Sequence, residues 1–133
     1  MTQDEIQQII SYVYPLIQNK IKSEYGSGKG PIPKIDTSHR NTYAMHSGEP
    51  EAEGEHAETS IAEYYKGVIY LYLPNITNEE GLLRALIHEY THYLQNITPL
   101  KTRVANQQYT YDTNPYETEA HENEENWETF SQK

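Results

Sequence analysis

With 133 residues the chain has room for one domain of ordinary size, read as spanning residues 1–133. Twenty acidic against ten basic side chains give a formal charge of −10, which excludes the phosphate-neutralising surface that nucleic acid or an anionic membrane requires. Cysteine is absent, so disulfides and thiolate metal sites are excluded, and histidine and carboxylate are the strong ligands that remain.

The opening stretch "MTQDEIQQII" has no signal-peptide pattern, and no apolar run is long enough to cross a membrane, so the expected location is cytoplasmic unless another export route is used. Thr2 and Glu5 have capping-box spacing, and Ile6, Ile9, Ile10, Val13, Ile17 and Ile21 recur at three and four. This predicts a helix over 2–25, kinked at Pro15 and stopped at Gly26. "GSGKGPIP" reads as a linker. Residues 34–60 carry no clear period. The acidic run 49–58 reads as a solvated loop without the Asp/Asn alternation of a calcium loop, and His39, His46 and His56 read as solvated.

"SIAEYY", a Lys66-Gly67 turn and "VIYLYLP" predict a β-hairpin over 60–73. A second helix is expected from Thr77, capped with Glu80, to about Asn96, and a third from Asn114, with Pro115 at its first position and Glu117 at the third. Tyrosine supplies thirteen of the fifteen aromatic residues, which suits a thin core with hydroxyls near polar partners.

The second helix contains "HEYTH". His88 and His92, four apart, lie about 40° from one another around the axis, so both imidazoles can face one ion. Glu89 projects about 100° away and suits a general base better than a ligand. The bland alternative is real, because Leu83, Leu86, Ile87, Tyr90, Leu94 and Ile97 form the apolar stripe and leave the histidines on the opposite, nominally solvent side. Chance would produce the pattern in a chain of this composition only about 3% of the time, which favours a metal reading.

A third ligand should come from the last helix. Taking Tyr116, Ala120, Trp127 and Phe130 as one stripe puts Glu119 about 60° from its centre, with Glu117 and Glu122 at about 100° and 120°, so Glu119 is the expected ligand. His121 falls about 140° away and reads as solvent-facing.

HExxH on one helix, followed by a helix carrying Glu-Ala, resembles the gluzincin zinc metallopeptidases and, in length, the minigluzincins. The stretch from Val68 to about Phe130 carries the resemblance. It implies an α+β zincin-like domain: an N-terminal helix, a short and mostly antiparallel sheet, the HExxH helix and a C-terminal helix. It also implies Zn²⁺ on His88, His92 and Glu119, with Glu89 as base in peptide hydrolysis. The family's substrate-pairing edge strand would map onto "VIYLYLP" or its hairpin partner. Asn123 stands where the family places an aspartate behind a ligand histidine.

The expected partner is a peptide or protein substrate, with a monomer favoured. The oxyanion donor is unassigned among Tyr109, Tyr111 and Tyr116. The loop 98–113 reads as a cleft wall or as a tether, and a terminal segment lying in the cleft would make the enzyme latent. The competing expectation is a non-catalytic zinc-binding interaction module that keeps the fold.

Overall fold

The structure, a computed structural model, describes residues 1–37, 61–65, 67–96, 104, 107–108 and 113–131. Its elements are α1 (Gln3–Lys20), β1 (Lys34–Asp36), β2 (Ala62–Tyr65), β3 (Val68–Leu71), α2 (Glu79–Leu94) and α3 (Pro115–Glu124), with short 3-10 turns at Leu73–Asn75 and Trp127–Phe130. Among the described residues the named elements make an α+β architecture, three helices and a three-stranded sheet. Expectations for the acidic run, for His39, His46 and His56, and for Tyr109 and Tyr111 fall outside the described residues.

α1 begins as its sequence dictates. The Thr2 hydroxyl accepts from Glu5 N, and the Glu5 carboxylate accepts from Thr2 N. The helix runs through Pro15, which is on the exposed side, and ends at Lys20 rather than near Gly26. Its isoleucine face is buried, with Ile6, Val13 and Ile17 fully inaccessible. α2 is capped by Asn78, whose side chain accepts from Gly81 N, one residue beyond the expected Thr77.

The sheet order is β1-β3-β2, with β2 antiparallel and β1 parallel to β3. The sheet is therefore mixed rather than mostly antiparallel, because a three-residue strand behind Pro33 was too short to show any period. β3, the "VIYL" strand, is central, and β2 is an edge.

α2 packs against β2, α1, α3 and the Trp127 turn, and its own buried set runs from Leu82 to Leu94. The described elements share a single apolar cluster. Tyrosines enter it with their hydroxyls satisfied: Tyr14 Oη donates to Pro33 O at 2.8 Å and Tyr93 Oη to Gly30 O at 3.0 Å. Burial raises the Tyr14 phenol above its usual range. Among the described residues, no helix is long and apolar enough to cross a membrane.

Residues 22–28, expected to finish a helix and open a linker, instead form a strap over the C-terminal end of α2. Gly28 N donates to Leu94 O at 3.1 Å. A Cβ at Gly26 would collide with that same Leu94 carbonyl oxygen, and one at Gly28, where φ is +86°, would meet the Tyr93 ring. These glycines mark close backbone approach rather than flexibility. Gly26→Ala is accordingly expected to cost about 1–3 kcal/mol of stability by urea denaturation, since the obstacle is backbone and cannot turn aside.

Candidate metal centre

α3 starts as its sequence dictates, with the Asn114 side chain accepting from Tyr116 N and Pro115 in the first turn. It stops at Glu124, however, and Trp127 and Phe130 belong to a separate turn. Arg84 of α2 spans the break, 3.7 Å from the Glu125 carboxylate and 5.9 Å from the Trp127 ring centre. The continuous stripe Tyr116-Ala120-Trp127-Phe130 therefore does not exist, and Ala120 is the residue that α3 buries.

That change decides which carboxylate meets the histidines. Residues two apart on a helix lie about 200° from one another, so Glu117 and Glu119 occupy opposite sides of α3. Glu117 faces α2. Its Oε1 is 2.8 Å from His92 Nε2 and its Oε2 is 3.3 Å from His88 Nε2, while the two Nε2 atoms are 3.2 Å apart. Glu119 faces away and accepts from Ser23 Oγ at 2.5 Å, Glu24 N at 2.7 Å and Gln95 Nε2 at 2.9 Å. The structure brings His88, Glu89 and His92 together with Glu117; it does not bring Glu119 to them.

Four and seven residues on from Glu117, His121 and Glu124 continue the same side of α3. Glu124 Oε2 lies 2.5 Å from His88 Nδ1 and 3.0 Å from His121 Nδ1. Gln95 Oε1 lies 2.8 Å from His92 Nδ1. Asn123, expected behind a histidine, instead donates to Thr91 Oγ1 and Lys22 O. Tyr116 stacks edge-on with Tyr25, and its carbonyl accepts from Gln95. The histidine face is not solvent-facing, since α3 covers it and leaves His92 only 9% exposed.

Each of these two histidines thus has an oxygen acceptor at Nδ1, which in the neutral ring holds the hydrogen there and turns the Nε2 lone pair inward. With both rings neutral, two lone pairs and a carboxylate converge there; a proton on an imidazole adds an Nε2–H that donates to Glu117. His88, His92 and Glu117 form a triangle of residues: the two Nε2 atoms are 3.2 Å apart, close to the edge of about 3.3 Å set by tetrahedral bonds of 2.0–2.1 Å to zinc, and each meets a different Glu117 oxygen, at 2.8 and 3.3 Å. His88, Glu117 and His121 also form a group whose ligand atoms lie within 4.8 Å of one another, with His121 exposed where His92 is buried.

Charge in the cluster points the same way. Burial opposes a charge on His88, but hydrogen bonds to Glu117 and Glu124 outweigh it and push the imidazole up to about 10. Burial likewise works against His92, and the Glu117 carboxylate again reverses the sign. Burial would raise Glu117, yet its bonds with both imidazoles hold it well below the usual carboxylate range. The carboxylates favour positive charge on the two imidazoles.

Glu89 stands beside the triangle without joining it. Its Oε1 accepts from Tyr64 N at 2.8 Å and its Oε2 is 3.9 Å from His88 Nε2. Burial pushes this carboxyl up, against the lowering pull of His88 and His92. A cavity of about 590 Å³ lies on the other side of α3, lined by Ser23, Tyr25, Thr118 and Glu119 among others, and does not reach the histidines.

No protein-family model, curated protein or solved structure matches the chain. The functional reading therefore rests on these residues and their geometry.

Proposed function

We propose that the chain is a zinc-dependent peptidase of gluzincin type, with His88, His92 and Glu117 holding the metal and Glu89 acting as general base. The observation that carries this reading is the meeting of His88 Nε2 and His92 Nε2, 3.2 Å apart, with one Glu117 oxygen each, and an anchored carboxylate, Glu89, beside them. When bound, zinc supplies Lewis acidity toward a carbonyl oxygen and acidifies water to a pKa of about 7. Tyr64 N holds one Glu89 oxygen and leaves the other to take the water's proton and pass it to the leaving amine. A raised Glu89 pKa suits that shuttle. An extended peptide pairing along the outer edge of β2 would run past this carboxylate, which makes the hairpin partner of "VIYL" the candidate substrate strand. Zinc stoichiometry of one, together with zinc-dependent cleavage in a peptide library, is the expected result; a zinc-loaded protein that cleaves nothing would reject it.

Metal uptake should release protons. In the metal-free fold His88 is raised to about 10, so it carries a proton at pH 7 that a metal must displace. Zinc affinity is expected to climb about tenfold per pH unit for each proton displaced, read by calorimetry in buffers of different ionisation enthalpy. The stability sign is the reverse: a raised folded pKa stabilises the metal-free protein below 6.5 and loses that contribution as pH rises through about 10.

One observation favours a second reading. His121 Nε2 is 3.9 Å from Glu117 Oε2, and a small ring movement would offer a fourth protein ligand. A closed four-ligand site would be structural, giving the non-catalytic zinc module. The d–d absorption of the cobalt-substituted protein separates the two, because a site open to solvent changes its spectrum with added azide and a closed one does not.

A further inference from the structure

We propose that Glu119 is a positioning residue for the metal site, acting through Gln95 on His92; the proposal rests on the zinc reading above. Gln95 caps the end of α2 and is completely buried. Its Nε2 lies 2.9 Å from Tyr116 O and 2.9 Å from Glu119 Oε1. A backbone carbonyl can only accept, so the amide nitrogen belongs on that side and the amide oxygen on the other. The oxygen sits 2.8 Å from His92 Nδ1 and can only accept in turn. The hydrogen of the neutral imidazole is thereby fixed on Nδ1, and Nε2 is left as the ligand atom.

Glu119 is itself held in place. Ser23 Oγ donates to its Oε1 and Glu24 N to its Oε2. A line of hydrogen bonds thus runs from the strap, through Glu119 and Gln95, to His92 Nδ1, across the ring from Nε2. Without Glu119, one buried amide hydrogen of Gln95 loses its acceptor and the amide is freer to turn. A turned amide would place NH₂ against Nδ1, and the imidazole would then carry its hydrogen on Nε2, pointing into the metal site.

A double-mutant cycle on zinc affinity tests this, with competitive chelator titration of the full chain as the readout. Gln95→Met is expected to weaken zinc about 10–100-fold and Glu119→Ala about 10-fold. In the Gln95→Met background Glu119→Ala should add less than about twofold, because the group it acts through is gone. Glu119→Gln should stay within about threefold of wild type, since its amide oxygen can still accept from Gln95. A Glu119→Ala protein with a lower melting temperature and unchanged zinc affinity would overturn the proposal, as would equal losses in both backgrounds. Should Glu119→Ala fail to fold, nitrogen-15 spectra of the zinc-loaded wild type decide: the His92 hydrogen is expected on Nδ1, and a hydrogen on Nε2 overturns the proposal. A wild type that takes up no zinc removes the metal reading and this proposal together, whereas zinc uptake indifferent to Glu119 removes this proposal alone.

Discussion

Glu117→Ala is expected to lower zinc affinity by more than about 100-fold, exceeding the 10–100-fold loss usual when a group behind a ligand is removed. Glu117 is the one acidic side chain of α3 that reaches both metal-facing nitrogens, at 2.8 and 3.3 Å. Its loss removes a ligand and leaves two buried imidazoles without their shared counter-charge. Glu117→Asp tests distance at constant charge: one methylene shorter, it should recover part of the affinity. Calorimetry of the wild type and both variants is the measurement. Wild-type affinity in Glu117→Ala would return the search for a third ligand to other residues, with His121 the nearest.

The second large effect concerns chemistry without binding. Glu89→Gln should hold zinc within about threefold of wild type, yet lose about 10²–10⁴-fold in peptide cleavage, the usual contribution of a positioned base. The substitution is isosteric, and its amide oxygen can still accept from Tyr64 N, so the contact between α2 and the edge strand survives. What disappears is a group able to take a proton at neutral pH. Undiminished cleavage by Glu89→Gln would remove Glu89 from the mechanism, and parallel loss of zinc would make it a structural residue.

Much of this was legible because it is local. The Thr2–Glu5 box, Asn114 before Pro115, the hairpin around Gly67 and the spacing of His88 and His92 are each set by neighbours within a few residues. The carboxylate that meets the histidines was not. Finding it required knowing that α3 ends at Glu124; once Trp127 and Phe130 were counted on the same helix, the inferred buried face turned toward Glu119 and away from Glu117. The useful signal was polar: Glu117, His121 and Glu124 form an i, i+4, i+7 stripe complementary to a histidine pair at i, i+4. Gln95 was invisible for a different reason, since a glutamine at a helix end has no distinctive sequence context and takes its role from Tyr116 and Glu119, more than twenty residues away. The glycines of the strap read as a linker because close packing and flexibility use the same residue.

The strap also sets when the centre can exist. Ser23, Glu24 and Lys22 hold residues of α3 that lie 96, 95 and 101 positions further along the chain. A growing chain that has made only α2 presents His88 and His92 without their carboxylate partner. Glu117 arrives with α3, and α3 is fastened by a segment about a hundred residues earlier in the chain. Long-range closure is slow relative to helix formation, so the meeting of Glu117 with the two histidines is tied to the docking of α3 under the strap.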